Sequence, residues 1–188
     1  MDATFNVILP MIFGKKNEME KKTKNKKIAK CQICNLTFDA EKFKSHQISH
    51  PSKICDFIYL GSYQNAINQS ELKKLKIKFI LNCAHECSNT PIKNSRYKHI
   101  KLYDDPHCDL SQHFSAAFSF INEAINTKSN ILIHCAMGVS RSSSIVIAYL
   151  MKYQRMSFQD AYWYVKKRRS IIFPNFGFMT QLTQYECI

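Results

Sequence analysis

At 188 residues the chain has room for one α/β domain and a small appendage. An apolar share of 45%, with 13 Phe and 9 Tyr, excludes a disordered or fibrous class. The net charge of +13 favours anionic partners and leaves phosphoproteins, nucleic acid and acidic lipid all open.

In chain order, residues 1–30 are expected to form a flexible, Lys-rich arm, with eight Lys between Gly14 and Lys30. The apolar stretch Thr4–Phe13 is short, broken by Pro10 and preceded by Asp2, so it is read neither as a secretory leader nor as a membrane span. Met1-Asp2 offers no glycine for myristoylation. Eight cysteines without a leader predict reduced thiols that serve chemistry or metal, in an intracellular protein of the cytoplasm, the nucleus or both, with no membrane partner. KKTKNKK (21–27) reads equally as a nuclear-import patch or a solubilising linker.

Residues 31–50 place Cys31, Cys34, His46 and His50 as C-x2-C-x11-H-x3-H. Two thiolates on a turn and two imidazoles one helical turn apart can close a tetrahedron around Zn2+. Phe38 and Phe43 supply a small apolar core. The unit resembles a C2H2 zinc finger whose central spacing is one residue shorter than the common one, and that resemblance implies a structural Zn2+. Its base-reading positions would be Asp39, Lys42 and Ser45, but a lone finger covers only about 3 base pairs. The expected role is protein docking, or weak nucleic-acid contact aided by the Lys-rich arm. Pro51-Ser52 closes the unit.

From residue 54 to 188 short apolar runs alternate with amphipathic stretches. IYLG (58–61), IKFILNCA (77–84), HIKLY (99–103) and NILIHC (130–135) read as strands, the last one buried. A helix is expected around Ser70–Lys76. Leu110, Phe114, Ala117, Phe118, Ile121 and Ile125 recur at helical spacing, and Ile145–Met151, apolar all round, suits a central helix. Ser157 and Asp160 open a further helix as a capping box. The alternation predicts an α/β fold with a central, largely parallel sheet flanked by helices.

Between the buried strand and the buried helix stands HCAMGVSRS, His134 to Ser142. A strand feeding a short loop that opens a helix aims several backbone N–H groups at one point, with the positive end of the helix dipole behind them. Three features make such an anion site reactive. Cys135 lies where the dipole and Arg141 favour the thiolate. Arg141 offers a planar fork of donors for two phosphoryl oxygens. Gly138 lets the loop curl, and Ser142 can donate to the sulfur as it leaves.

Cys-x5-Arg with a preceding His and a following Ser is similar to the signature of the protein-tyrosine phosphatase superfamily. From Phe57 to about Cys187 the chain resembles its dual-specificity branch: FIYLGSYQNAIN, IKFILNCA, LSQHF, HCAMGVSRSSSIVIAYLM and IIFPNFGFMTQL follow in that branch's order. The resemblance implies a protein-tyrosine phosphatase-like fold and hydrolysis of phosphoprotein side chains through phosphocysteine. Cys135 would be the nucleophile, with Ala136, Met137, Gly138, Val139, Ser140 and Arg141 around the phosphate. Asp104 falls where the family keeps its general acid, six residues before Leu110; Asp105 is the neighbouring rival. Catalysis would need no cofactor, since Arg141 and the amides supply positive charge. A phosphoprotein-binding or nucleic-acid-associated adaptor with a vestigial site is the alternative.

Uncharged Ala136, Met137 and Val139 favour protein over phosphoinositide substrates. Lys93–Tyr97 is read as a solvated loop. Cys83 is either a core thiol or, as in some relatives, a reversible disulfide partner for Cys135. Cys55, Cys87, Cys108 and Cys187 are read as incidental.

Overall fold

The computed structural model describes residues 28–31, 33–46, 49–88 and 94–185. The arm up to residue 27, Lys93 and Cys187 lie outside the described residues. Ile28–Lys30 (β1) pairs antiparallel with Thr37–Asp39 (β2), and Ala40–His46 (α1) follows directly. The ordered hairpin therefore begins three residues ahead of the boundary expected at Cys31, because Lys30 and Thr37 continue the turn that carries Cys31 and Cys34.

The main sheet is built from Ser52–Lys53 (β3), Ile58–Ser62 (β4), Ile77–Asn82 (β5), Arg96–His99 (β6) and Asn130–Cys135 (β7), in the order β3-β4-β7-β5-β6. Only β3, at one edge, runs antiparallel to its neighbour. The largely parallel sheet expected from the strand–helix alternation is thus what forms. Ser52, expected to close the Cys/His unit, is already the first residue of this sheet.

Side chains alternate across the sheet. Ile131 and Ile133 on β7, with Ile58, Leu60, Phe79 and Leu81, face the larger core under Phe114–Asn126 (α4) and Arg141–Gln154 (α5). Leu132 points the other way and joins Ile80, Ile77, Leu72 and Ala66 beneath Tyr63–Ile67 (α2) and Gln69–Lys74 (α3). A strand buried on both faces must read as an unbroken apolar run, which is why NILIHC was legible. Burying each of its three aliphatic side chains contributes about 1.5–3 kcal/mol.

Helix α5 is buried from Arg141 to Met151 and is flanked by α4, Phe158–Arg168 (α6) and Phe176–Tyr185 (α7). Ser157 caps α6 by accepting from the Asp160 amide.

Several elements differ from expectation. Arg96 and Tyr97, read as part of a solvated loop, lie in β6 and pair with Phe79 and Ile80 of β5, and Tyr63–Ile67 is a helix where none is expected. HIKLY is not a strand: β6 ends at His99, the Ile100 amide still reaches Asn82 O, and the Leu102 amide then folds back to Ile100 O. Ile100 and Leu102 are both buried, so an anchored loop imitates strand alternation. Helix α7 was not anticipated, because Pro174 and Gly177 suggest a loop. Asn175 Oδ1 accepts the Phe178 amide and starts the helix, and a Cβ on Gly177 would run into the Pro106 carbonyl.

Candidate functional site

Parallel strands present their C-terminal ends to one crevice, and there β7 delivers Cys135 beside Ser62 of β4. Cys135 is 2% exposed, and its Sγ accepts from the Gly138 amide and from Ser142 Oγ, both at 3.2 Å. The loop from Ala136 to Ser140 turns every carbonyl outward to a donor. Ala136 O takes the Tyr63 amide, Met137 O and Gly138 O take Arg169, and Val139 O takes the Phe173 amide and Ser143 Oγ. Ser140 O takes the hydroxyls of Ser143 and Ser144. In a trans peptide the N–H opposes the C=O, so the amides that follow face the inside of the curl. Gly138 makes the bend with φ +68, and a Cβ there would run into the Gly61 backbone.

Arg141 opens α5 and is 5% exposed. Its terminal nitrogens do not point at the crevice as the sequence predicts. Nη1 and Nη2 hold Glu86 Oε2 and Oε1 at 2.5 and 2.6 Å. The edge left over is Nε, a buried donor without a hydrogen-bond acceptor, 3.7 Å from Asp104 Oδ2. Burial opposes the Arg141 charge, but Glu86, Cys135 and Asp104 hold its pKa above the ordinary value. The same bond to Arg141 draws the Glu86 carboxyl below its own. Glu86 escaped the sequence reading; a carboxylate just past a strand end beside Cys-x5-Arg was the available signal.

Asp104 reaches the loop from the segment after Leu102. Its Oδ1 accepts from Ser140 Oγ at 2.6 Å and Asn175 Nδ2 at 2.9 Å. Asp105 is turned away: its Oδ1 accepts the His107 amide and its carbonyl the Cys108 amide. His134 is fully buried, with Nδ1 donating to Cys135 O, and burial pushes its pKa down to about 4. Cys135, Arg141, Asp104 and Ser142 therefore converge on one crevice.

Cys83 lies next to β7, its amide donating to His134 O at 2.7 Å. Burial, and then the charge on Cys135, push its thiol pKa up. Cys87, read as incidental, also feels Cys135, after the larger effects of burial and Glu86. Tyr103, Met137 and Phe173 are exposed, and His85 stacks on Tyr103 with centroids 3.9 Å apart.

A second cluster gathers Cys31, Cys34, His46 and His50, whose ligand atoms all lie within 4.8 Å of one another. The hairpin turn brings the thiols together, with Asn35 at φ 62 and its amide donating to Cys31 O. Phe38 stacks on His46 at 4.1 Å, and His46 Nε2 is 3.2 Å from Cys34 Sγ. Glu71 of α3 pairs with His50 Nδ1, which leaves Nε2 for an ion. Two sulfurs, two imidazoles and a carboxylate behind one of them suit Zn2+. Of the base-reading positions, Asp39 is engaged within the unit, accepting the Lys42 amide at 2.9 Å. Among the described residues no helix is long and apolar enough to cross a membrane.

Residues 58–188 match the family model described as dual specificity phosphatase, catalytic domain, which begins after the Cys/His unit. Mouse protein phosphatase Slingshot homolog 1 is 46% identical over 142 residues, 76% of this chain and 14% of that protein. Dual specificity protein phosphatase 5 of Rattus norvegicus is 41% identical over 136 residues, 72% of this chain and 35% of that protein. The chain thus spans a minor part of these curated relatives. The crystal structure of DUSP15 aligns with a TM-score of 0.70 at 28% identity, covering 73% of this chain and 87% of that one. The human tyrosine phosphatase-like serine/threonine/tyrosine-interacting protein aligns at 0.69 and 30% identity, covering 73% and 96%.

Proposed function

The chain belongs to the dual specificity phosphatase family, and from that premise we propose that it hydrolyses phosphotyrosine and phosphoserine or phosphothreonine in proteins through a phosphocysteine intermediate. The observation that carries the reading is the sulfur of Cys135, held by the Gly138 amide and Ser142 Oγ at the mouth of a loop whose five carbonyls all face outward. In the first step the Cys135 thiolate attacks phosphorus, the bond to the side-chain oxygen breaks, and Asp104 gives that oxygen a proton. In the second, water attacks phosphorus and yields a proton to Asp104. The P–S bond then breaks, phosphate leaves, and Ser142 Oγ–H steadies the returning thiolate. Arg141 Nε and the loop amides face the phosphoryl oxygens throughout.

Uncharged Ala136, Met137 and Val139, with exposed Tyr103 next to Asp104 and exposed Phe173 bonded through its amide to Val139 O, favour a protein substrate over a polyanionic headgroup. Wild type is expected to release para-nitrophenol from its phosphate ester, and Cys135→Ser to lose on the order of 10^4 in rate. Equal rates would sink the catalytic reading and leave the adaptor. That second reading is favoured by the structural neighbour whose name describes a phosphatase-like interacting protein. Asp104→Ala is expected to cost roughly 10^2 to 10^4 in kcat with KM little changed, and Asp105→Ala to do little.

Cys31, Cys34, His46 and His50 would hold Zn2+, whose chemistry here is cross-linking: it joins the hairpin, α1 and the entry to β3. Lys74 Nζ donates to Ile33 O and Glu71 meets His50, so the module's partner within the chain is the catalytic domain. Metal analysis of wild type against Cys31→Ala tests this, with about one zinc per chain expected in the former only. Seven free cysteines among the described residues suit a reducing, intracellular setting. Cys83, against β7, is the candidate disulfide partner for Cys135; peroxide-treated protein without a Cys83–Cys135 linked peptide would remove it.

A further inference from the structure

The phosphate loop keeps its curl because its outward carbonyls find donors, and two of them find the same one. Arg169, just past α6, is fully buried. Its Nε donates to Gly138 O at 2.9 Å and its Nη2 to Met137 O at 3.3 Å. Its remaining arm points out of the catalytic loop: Nη1 donates to His50 O and to Ser52 Oγ, both at 3.3 Å. His50 is a member of the Cys/His cluster, and its ring is held on the far side by Glu71. One guanidinium thus spans from the loop that cradles phosphate to the backbone of a metal-ligand residue.

The seat is close on the loop side. A Cβ on Gly138 would stand 2.8 Å from Arg169 Nη2. A lysine could not replace the cation, since three acceptor directions need a planar fork, whereas an ammonium on a single stem reaches one of them. Burial lowers the Arg169 pKa to about 10, and Cys135 acts against that fall, so the group stays charged in neutral solution and its charge reaches the sulfur.

We propose that Arg169 is a positioning residue that couples the Cys31/Cys34/His46/His50 centre to the phosphate loop; this rests on the zinc reading above. With the ion in place, His50 is tied through its ring, and its carbonyl stays where Nη1 needs it. With the ion gone, residues leading into β3 are released and a buried cation loses an acceptor. An unmet donor of that kind is costly, so the guanidinium moves and the carbonyls of Met137 and Gly138 lose their holder.

The test uses the full chain, read by hydrogen exchange and by binding of inorganic vanadate as the phosphate mimic. Chelation of zinc from wild type is expected to speed exchange of the 136–141 amides about tenfold and to weaken vanadate binding about tenfold, with α4 amides unchanged. Arg169→Lys is expected to keep its zinc, to start from the loosened loop, and to show no further change on chelation. A protein that binds no zinc overturns the metal reading and the coupling together. Zinc bound but the loop indifferent to its removal overturns the coupling and leaves the metal reading intact. An equal response to chelation in wild type and Arg169→Lys also overturns it, since the path would then avoid Arg169. Should Arg169→Lys lose α4 protection, Ser52→Ala replaces it. That change removes one of the acceptors of Nη1 and puts more weight on His50 O, so the response to chelation must grow, and an unchanged response overturns the proposal.

Discussion

Cys135 and Cys34 are thiols in one chain, each at a turn beside a histidine, yet their surroundings are organised in opposite ways. Around Cys135 the geometry is fixed by backbone: a strand hydrogen-bonded on both sides, a loop with its carbonyls all engaged, and a helix buried from Arg141 to Met151. Around Cys34 it is fixed by side chains on a hairpin of two three-residue strands and on a seven-residue helix, with little buried behind them. The Cys34 thiol sits below its ordinary pKa: burial works against that, but the Leu36 amide, Cys31 and His50 prevail. A site made of backbone stands ready without its ligand, whereas a site made of side chains needs an ion to hold them together.

The sharpest way to break this contrast is to withdraw the Zn2+ proposed for the Cys/His unit. Structural zinc in small fingers contributes on the order of 10 kcal/mol of folding free energy, so chelation is expected to abolish amide protection in β1, β2 and α1 while β7 and α5 keep theirs. Hydrogen exchange resolved by segment reads both regions at once. A hairpin that stays protected would place the two sites in the same class.

Acid probes the other side of the contrast. His134 has its folded pKa depressed from 6.5 to about 4 by burial, so the unfolded chain takes up a proton in that window and the folded chain does not. Stability is then fully present above pH 6.5 and falls by roughly 3 kcal/mol as the pH drops toward 4. Denaturant titrations at several pH values check the slope, and His134→Gln is expected to flatten it. An unchanged slope would mean that another group carries the acid sensitivity.

Much of the catalytic half was legible because buried parallel strands and an all-round apolar helix leave continuous signals, and because the Cys-x5-Arg spacing belongs to one turn of chain. Five things were not. Glu86 and Arg169 act through contacts 55 and 31 residues away along the chain, to Arg141 and Gly138, and no local pattern announces them. The segment after His99 alternates like a strand because its burial is alternate, although its backbone bonds have already left the sheet. Helix α7 begins with Phe-Gly, and only its close passage by Pro106 explains the glycine. In the Cys/His unit the donors were legible by spacing, but Glu71 behind His50 comes from a different element.

The smallest expected effect bears on how rigid the backbone-built site must be. Glu86 grips both terminal nitrogens of Arg141 and leaves Nε beside Asp104 Oδ2 without a hydrogen-bond acceptor. If this grip only orients the guanidinium, Glu86→Gln keeps one acceptor, loses the paired geometry, and costs about tenfold in kcat/KM, mostly through KM. Wild type should hold the grip under mild acid, since the Arg141 bond keeps the Glu86 carboxyl below its usual range. The wild-type advantage over the variant should therefore persist below pH 4.5 and disappear only in stronger acid. Were Glu86 instead competing with phosphate for Arg141, the variant would bind vanadate more tightly than wild type, and orientation by side chains would matter in the loop site as it does in the Cys/His unit.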